Sequence, residues 1–320
     1  MKYRYHFFVF IFLFCACGGL AQNRAQPVFK VIPLGVKGGI DESNLSSYML
    51  AVEGTDDYIC LDAGTLHDGI QKAVDSGLFK LSARQVLRTN VKAYLISHAH
   101  LDHVAGLIIN SPDDSAKNIY GLSFCMDILK DKYFTWKSWA NFGDEGDKPT
   151  LNKYHYVTLS PGVEAAISNT TMNVIAFPLS HGNPYESTAF LVRHDDNYIL
   201  YLGDTGADSV EQSDKLKRLW DAVAPLIKLK KLKAIFIETS FPDEQPVKQL
   251  FGHLTPQLLM NELHILSGLT SVDAMKDLPV VITHIKPNGN NEADIKKQLM
   301  ESNDLQVKLV FPEQGKLLEF

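Results

Sequence analysis

The chain has 320 residues, of which 45% are hydrophobic and 21% are charged, and it contains 21 glycines, 14 prolines and 4 cysteines. This composition excludes collagen-like, low-complexity and disulfide-scaffold proteins and is typical of a globular protein with a sizeable core. The formal net charge is −6, from 31 basic and 37 acidic side chains, so the chain has no basic surplus with which to bind nucleic-acid backbone.

The first 21 residues have the pattern of a secretory signal peptide. Lys2 and Arg4 precede a short apolar run, and small residues follow it up to Ala21. The apolar run is too short to span a bilayer, so we expect no transmembrane segment. Cleavage after Ala21 leaves residues 22–320, with 29 basic and 37 acidic side chains and a formal charge of −8. We expect a periplasmic or secreted protein; the alternative is a lipoprotein anchored through Cys17.

Short apolar runs that favour β-structure dominate the rest of the chain, and apolar periodicity predicts helices between them. The predicted strands are Val28–Leu34, Ser46–Val52, Tyr58–Leu61, Val91–Ile96, Val174–Phe177, Thr188–Val192, Tyr198–Leu202, Ala234–Ile237 and Val280–Thr283. The predicted helices are Gly69–Leu78, Val210–Leu229, Pro256–Leu266 and Glu292–Met300. This mixture predicts an α/β fold in one domain, residues 22–320, with helices outside a sandwich of β-sheets.

Residues 113–149 are more polar than their surroundings and contain glycine and scattered aromatic residues. We interpret this interval as an insertion or cap on the single domain, not as a second domain. Its aromatic side chains are suited either to the core, which is the default expectation, or to stacking on a nucleobase. They are Tyr133, Phe134, Trp136, Trp139 and Phe142.

The strongest chemical signal is the segment His98-Ala99-His100-Leu101-Asp102-His103. Four potential metal ligands lie within six residues, directly after a predicted strand. Side chains at a strand end can converge on one point, and imidazole with carboxylate suits Zn²⁺, with Mn²⁺ or Fe as rivals. So dense a cluster is poorly explained as a solvated polar loop, and it predicts a metal site.

Three further candidate ligands lie just past the ends of other predicted strands. They are His181, Asp204 and His284. Loops at strand ends collect at one edge of a sheet sandwich, so we expect these side chains to join the cluster at residues 98–103. The sequence therefore predicts one site assembled from distant parts of the chain, with enough ligands for two ions.

The spacing of these seven residues resembles the metallo-β-lactamase superfamily over essentially the whole mature chain. The resemblance implies an αβ/βα sandwich of two mixed β-sheets flanked by helices, and two divalent metal ions, for which Zn²⁺ is expected. It assigns one ion to His98, His100 and His181, the other to Asp102, His103 and His284, and a bridging position to Asp204.

The longer stretch from His98 to Pro112 resembles the signature of class II cyclic-nucleotide phosphodiesterases. The leucine between the second histidine and the aspartate, and the closing Ser111-Pro112, are the discriminating details. Leu34–Gly39 with Asn44–Tyr48, and later Gly252–Pro256, resemble other motifs of that family. We therefore predict a phosphodiesterase whose partner is a small-molecule cyclic nucleotide, and we expect cyclic AMP.

Hydrolysis of a phosphodiester requires an activated water and neutralisation of the charge that develops on the phosphoryl oxygens. We expect in-line attack by a hydroxide that bridges the two metal ions, which opens a 3′,5′-cyclic phosphate to a 5′-monophosphate. His253 is our candidate for protonating the leaving 3′ oxygen or binding a phosphate oxygen; the alternative is that it caps the following helix. Asp102 is a second candidate for moving the proton, and Asp204 holds the ions at their separation.

Three other residues are candidates for orienting the catalytic groups. Glu238 could orient His253 or a ligand imidazole, and Asp62 resembles the superfamily's aspartate beneath the metals. The alternative for both carboxylates is a hydrogen bond to backbone N–H groups in a turn. Thr255 follows His253 in the same motif and is also the better candidate for capping the helix near Pro256.

By the same resemblance this metal core serves other hydrolases, so a tRNA 3′-processing-like phosphodiesterase, an arylsulfatase and a β-lactamase are alternative functions. The predicted export and the acidic charge argue against tRNA, and we expect no nucleic-acid partner. A non-catalytic exported metal-binding protein is a further alternative, against which stands the complete set of seven ligands. The sequence leaves the oligomeric state open.

Overall fold

The structure, a computed structural model, describes residues 1–4, 6 and 26–320. Cys17 and most of the predicted signal peptide lie outside these residues. Within them, no helix has both the length and the apolar character needed to cross a bilayer.

The first β-sheet has seven strands, six of which come from the first half of the chain. They are β1 (Phe29–Gly35), β2 (Ser47–Val52), β3 (Tyr58–Leu61), β4 (Val91–Leu95), β5 (Lys117–Gly121), β6 (Tyr154–Thr158) and β14 (Leu318–Glu319). Their order across the sheet is β14-β1-β2-β3-β4-β5-β6. The sheet is mixed, because β14, β1, β2 and β3 pair antiparallel whereas β3 to β6 run parallel.

The second β-sheet also has seven strands, all from the second half of the chain. They are β7 (Glu164–Ala166), β8 (Asn173–Ser180), β9 (Glu186–His194), β10 (Asn197–Leu202), β11 (Leu232–Glu238), β12 (Pro279–Thr283) and β13 (Lys308–Val310). Their order is β13-β12-β11-β10-β9-β8-β7. This sheet is mixed as well, since β7 to β10 pair antiparallel and β10 to β13 pair parallel.

Helices cover the outer face of each sheet. They are α1 (His67–Asp75), α2 (Ala83–Thr89), α3 (Leu101–Asn110), α4 (Ser123–Ile128), α5 (Asp208–Glu211), α6 (Lys215–Lys228), α7 (Pro256–Leu269), α8 (Val272–Met275) and α9 (Asn291–Ser302). α1 to α4 pack on the first sheet, and α6 to α9 pack on the second.

Alternating side chains of the strands separate three apolar cores. In β11, Phe236 faces the first sheet, whereas its neighbours Ile235 and Ile237 face the helices. In β4, Tyr94 faces the helices and Leu95 faces the second sheet. This alternation is what strands buried on both faces require. The predicted α/β sandwich of two mixed sheets flanked by helices is therefore confirmed.

Two predictions from the sequence differ from the structure. The predicted helix Val210–Leu229 is two helices, α5 and α6, because Gln212 takes a left-handed conformation with φ 53° and ends the first of them. The interval 113–149, interpreted as an insertion or cap, contains β5, which lies inside the first sheet between β4 and β6. The polar residues Lys117 and Asn118 at the start of this short strand conceal it in the sequence.

Candidate metal centre

The first sheet supplies four candidate ligands from one turn. After β4 the chain passes through His98 and then begins α3, and His100 is the extended residue just before the helix (φ −68°, ψ 150°). Asp102 and His103 lie in the first helical turn. The extended segment directs His98 and His100 to one place, and the helix that follows at once directs Asp102 and His103 to a second place beside it.

The second sheet supplies three candidate ligands from three separate strand ends. His181 follows β8, Asp204 follows β10 and His284 follows β12. The turn at residues 38–39 closes over His284 from the first sheet: a Cβ atom on Gly38 would lie 2.3 Å from Cε1 of that ring. Glycine is needed there because any side chain would displace the imidazole.

His98, His100 and His181 form a first ligand set. Nδ1 of His100 lies 3.1 Å from Nε2 of His98 and 3.3 Å from Nε2 of His181. The three potential ligand atoms lie within 4.8 Å of one another. Three nitrogens this close, from rings on both sheets, form a site of the size that one metal ion occupies.

Asp102, His103 and His284 form a second ligand set, and their potential ligand atoms also lie within 4.8 Å of one another. Oδ2 of Asp102 lies 3.1 Å from Nε2 of His284 and accepts a hydrogen bond of 2.8 Å from the backbone N–H of Gly39. The turn at residues 38–39 therefore fixes the carboxylate of this set as well as leaving room for its imidazole.

Asp204 lies between the two sets. Its Oδ2 atom is 3.2 Å from Nε2 of His103 and 3.1 Å from Nε2 of His284 in the second set. It is also 3.7 Å from Nε2 of His98 and 3.8 Å from Nε2 of His181 in the first set. One carboxylate oxygen thus faces both sets, which is the position a bridging ligand requires.

Four of the ligand rings are held by hydrogen bonds at the nitrogen that points away from the centre. Nδ1 of His98 lies 2.9 Å from Oγ of Ser97, and Nδ1 of His103 lies 2.8 Å from Oδ2 of Asp62. The remaining two contacts are 2.9 Å each, from His181 to the Gly252 carbonyl and from His284 to Oγ of Ser240. Such contacts fix which ring nitrogen faces the centre.

The structure places Asp62 beneath the centre, fully buried and with a left-handed backbone (φ 56°). In addition to His103, its carboxylate accepts hydrogen bonds of 2.7 Å from both the N–H and the hydroxyl of Ser97 and one of 2.6 Å from the Tyr201 hydroxyl. Asp62 therefore contacts His103 directly, and it also fixes Ser97, which is the hydrogen-bond partner of His98.

Glu238 and His253 form a buried pair beside the centre. Nδ1 of His253 lies 2.7 Å from Oε1 of Glu238, and the His253 ring packs 4.8 Å from that of His181. The other carboxylate oxygen accepts a hydrogen bond of 2.6 Å from the Ser240 hydroxyl. Thr255 instead caps α7, accepting a bond from the N–H of Leu258, and its contacts do not bring it to a ligand.

Burial sets the protonation of the first ligand set, whereas at His103 the carboxylates of Asp204, Asp62 and Asp102 outweigh burial and raise the pKa well above its ordinary value. Burial lowers the pKa of His98 well below its ordinary value and that of His181 to about 4. Burial also opposes charge on Asp204, but His103 and the other imidazoles around it hold the pKa of its carboxyl well below the usual range. Neutral imidazole and ionised carboxylate are the forms that bind a divalent cation.

Several contacts of the centre were not predicted from the sequence. Ser97 and Ser240 orient ligand rings, and Tyr185 stacks on His100 with ring centroids 4.5 Å apart and planes 3° apart. Ser97 directly precedes the histidine cluster and Ser240 lies two residues after Glu238, so adjacency was an available signal for both. Tyr185 lies four residues after His181, but nothing local indicates its stack on His100, which is 85 residues earlier in the chain.

The donor set fits divalent metal ions. In the described part of the chain, every ion-pair partner of Asp204 is an imidazole, and no lysine or arginine pairs with it. The imidazole nitrogens of the first set face one another. A neutral imidazole has only one N–H, so the three rings cannot all donate hydrogen bonds to one another there. A cation with nitrogen and oxygen ligands resolves both features, and Zn²⁺ takes such ligands.

Known proteins resemble this chain in sequence over most of its length. The family of class-II cAMP phosphodiesterases matches residues 78–315. A 3′,5′-cyclic-nucleotide phosphodiesterase of Aliivibrio fischeri is 45% identical over 307 residues, which cover 91% of this chain and 93% of that protein. A probable 3′,5′-cyclic-nucleotide phosphodiesterase of Yersinia pestis is 37% identical, over 91% of this chain and 89% of that protein.

Solved structures show the same fold. Unliganded yeast PDE1 superposes with a TM-score of 0.82 at 24% identity, covering 92% of this chain and all of that one. The metallo-β-lactamase fold protein YhfI of Bacillus subtilis superposes with a TM-score of 0.60 at 17% identity, covering 91% and 99% of the two chains.

Proposed function

The chain belongs to the class-II cAMP phosphodiesterases, and on that premise we propose that its metal centre hydrolyses 3′,5′-cyclic nucleotides to nucleoside 5′-monophosphates. The family resemblance predicted from the motif at residues 98–112 is confirmed by the match over residues 78–315. The observation that carries the mechanism is the position of Asp204, whose Oδ2 atom faces nitrogens of both ligand sets.

The reaction adds water across the bond between phosphorus and the 3′ oxygen. The water oxygen bonds to phosphorus, the bond to the 3′ oxygen breaks, and that oxygen takes up a proton. Two divalent cations, when bound, supply an activated water and neutralise charge on the phosphoryl oxygens. The two ligand sets and Asp204 are the residues that hold these cations.

His253 supplies the proton to the leaving 3′ oxygen in this proposal. Glu238 holds Nδ1 of His253, which leaves Nε2 as the nitrogen that can exchange a proton with substrate. Burial lowers the pKa of His253, but the Glu238 carboxylate outweighs burial and raises it, which favours a protonated ring. Asp102 accepts a hydrogen bond from the Gly39 N–H and faces His284, so we assign it to metal binding and not to proton transfer.

The test is a reconstituted assay in which the products are identified. Purified protein is loaded with zinc and incubated with cyclic AMP and cyclic GMP, and the nucleotides are separated by chromatography. We expect 5′-monophosphates, with the larger kcat/KM for cyclic AMP. A 3′-monophosphate product contradicts the proposed bond cleavage, and turnover of nitrocefin or an aryl sulfate in the absence of cyclic-nucleotide turnover overturns the function.

We propose zinc as the metal, supported by a donor set of five imidazoles and two carboxylates. The comparison is between protein reconstituted with zinc, manganese or iron after complete removal of metal. We expect two zinc ions per chain and the highest turnover with zinc. Higher turnover with manganese or iron at full occupancy contradicts the assignment.

We propose export of the chain, supported by the basic, apolar and small-residue pattern of residues 1–21. Mass spectrometry of the protein purified from its own host separates the two processing routes. A mature chain that begins at Gln22 supports cleavage by signal peptidase, whereas a diacylated Cys17 supports lipid anchoring. An intact N-terminus at Met1 contradicts export by either route.

A further inference from the structure

His100 is held differently from the other ligand imidazoles. His98, His103, His181 and His284 each have a hydrogen bond at the nitrogen that points away from the centre. His100 faces the centre with Nδ1, and within residues 26–320 its ring makes hydrogen bonds only to the rings of His98 and His181. Its outer nitrogen therefore has no acceptor, and His100 is also the exposed member of the first ligand set.

Tyr185 takes the place of that missing hydrogen bond. Its ring lies parallel to the His100 ring, with an interplanar angle of 3° and a centroid distance of 4.5 Å. Offset or parallel aromatic stacks at this distance are attractive, and they oppose rotation of the imidazole about its broad terminal torsion. The Tyr185 ring also contacts His98 and His181 edge-on, at 6.0 and 6.1 Å.

The loop that carries Tyr185 is itself fixed. Oε2 of the buried Glu211 accepts hydrogen bonds of 3.0 and 3.1 Å from the N–H groups of Gly182 and Asn183. The N–H of Tyr185 donates to the carbonyl of Gly182, which closes a turn, and the carbonyl of Tyr185 accepts a hydrogen bond from the N–H of His181. A stacking ring on so constrained a turn is a rigid support.

A second tyrosine fixes the backbone of the same ligand. The half-buried Tyr133 donates a hydrogen bond of 2.9 Å to the carbonyl of Ala99, the residue between His98 and His100. This hydrogen bond comes from the interval interpreted from the sequence as an insertion or cap. The ring of His100 is thus fixed by one tyrosine and its backbone by another.

We propose that Tyr185 and Tyr133 are positioning residues for His100 and that they set the metal affinity of the first ligand set. The proposal rests on His100 as a metal ligand, which is part of the proposed function. An imidazole without an outer hydrogen bond samples several ring orientations, and each orientation that faces away from the metal weakens binding. The stack removes those orientations before the ion arrives.

The test measures metal binding directly, so it does not depend on turnover. Zinc dissociation constants are obtained by competition with a chromophoric chelator for wild type, Tyr185→Leu, Tyr185→Phe and Tyr133→Phe. Tyr185→Leu is expected to weaken one of the two zinc sites by about 10- to 100-fold, the range for residues that orient metal ligands. Tyr185→Phe keeps the stacked ring and is expected to keep wild-type affinity.

The cobalt(II) absorption spectrum provides a readout that general destabilisation does not change. We expect Tyr185→Leu to alter the spectrum of one site, Tyr133→Phe to alter the same site less, and Tyr185→Phe to match wild type. The matched control is Tyr94→Phe, which removes a buried hydroxyl bonded to Asp114 and is expected to change neither affinity nor spectrum.

Three results overturn the proposal. They are unchanged affinity in a folded Tyr185→Leu protein, an equal loss of affinity in Tyr94→Phe, and a tenfold loss in Tyr185→Phe, which assigns the effect to the hydroxyl. If the leucine variant does not fold, Tyr133→Phe decides the question, because unchanged zinc affinity together with an unchanged cobalt spectrum in that variant overturns the proposal. Wild-type protein that binds zinc but does not hydrolyse cyclic nucleotides contradicts the proposed function and leaves this proposal intact.

Discussion

The molecule contains two buried clusters of charged and polar side chains that differ in one respect. The Asp114 cluster (Asp114, Lys117, Tyr94 and Tyr154) satisfies itself: the carboxylate binds the Lys117 ammonium at 2.7 Å and accepts hydrogen bonds of 2.7 and 2.9 Å from the two tyrosine hydroxyls. Lys117 also donates to the carbonyl of Leu87. Every charge in this cluster has a fixed opposite charge or a hydrogen bond.

The metal centre lacks that internal balance. Asp204 is as buried as Asp114, yet its ion-pair partners in the described residues are imidazoles, whose charge varies from ring to ring. Burial opposes a charge on His103, but the carboxylates of Asp204, Asp62 and Asp102 outweigh burial and raise its pKa well above the ordinary value. Burial lowers the pKa of His98 well below its ordinary value, which keeps that ring neutral beside the carboxylate. A buried polar cluster that is complete without a ligand is structural, whereas one that needs a cation to balance it is a binding site.

Among the variants that test this difference between the clusters, Asp204→Asn is expected to have the largest effect on activity. The amide retains the shape but removes the charge shared by both ligand sets, so we expect turnover to fall by about 10⁴-fold or more, equivalent to over 5 kcal/mol of barrier. Steady-state kinetics and metal analysis on the same samples measure both losses. The matched control is Asp195→Asn on an exposed turn, and wild-type metal content in Asp204→Asn would contradict the bridging position.

Lys117→Met tests the opposite cluster. It leaves the Asp114 carboxylate buried without its counter-charge, so we expect the free energy of unfolding to fall by about 3 to 5 kcal/mol. Urea denaturation measures this loss, and metal content and KM are expected to stay at wild-type values. Adding Asp114→Asn to Lys117→Met removes the unpaired charge and is expected to recover part of the stability. A loss of metal in Lys117→Met would show that the clusters are coupled.

Glu238→Gln tests whether the Glu238 carboxylate controls the protonation of His253 beside the metal centre. Without the carboxylate, burial lowers the pKa of His253 against Asp204 alone, and we expect kcat to fall by about 100-fold, the low end for loss of general acid catalysis. Metal content is expected to be unchanged because Glu238 reaches His284 only through the Ser240 hydroxyl, and glutamine keeps an oxygen that can accept the Ser240 hydrogen bond. Glu262→Gln is the control, since that carboxylate binds the indole of Trp220. Equal kcat in Glu238→Gln and wild type argues against the proton transfer.

Ser111→Ala gives the smallest expected effect, because it lies in neither cluster. Its buried hydroxyl donates to the carbonyl of Ile108 and accepts a hydrogen bond of 3.0 Å from the indole of Trp139. Losing these contacts is expected to lower the free energy of unfolding by about 1 kcal/mol. Thermal unfolding measures the stability of the variant, and steady-state kinetics measures its kcat/KM. A tenfold change in kcat/KM at unchanged stability would assign the Ser111-Pro112 motif a role in the reaction.

The convergence of the seven candidate ligands could be predicted because each lies at a strand end or in the turn that follows it, and strand ends of one sandwich edge meet whatever their separation in the chain. The Glu238–His253 pair was predicted for a similar reason: both residues follow strands or turns at that edge. Tyr185, Ser97 and the Gly38 turn could not be assigned, because stacking and hydrogen-bond partners depend on side-chain orientation and not on local periodicity. The strand β5 was missed because burial between two parallel neighbours, not its own polar composition, holds it in the sheet.

Each ligand set draws residues from both sheets, His98 and His181 in the first, Asp102 and His284 in the second. A metal ion bound by both sheets binds only chains in which the two halves have already docked. By mass action, free metal at about 100 times its dissociation constant adds about 2.7 kcal/mol to the free energy of unfolding. Metal supply in the compartment where the chain folds therefore controls how much folded enzyme accumulates there, in addition to how fast each molecule turns over.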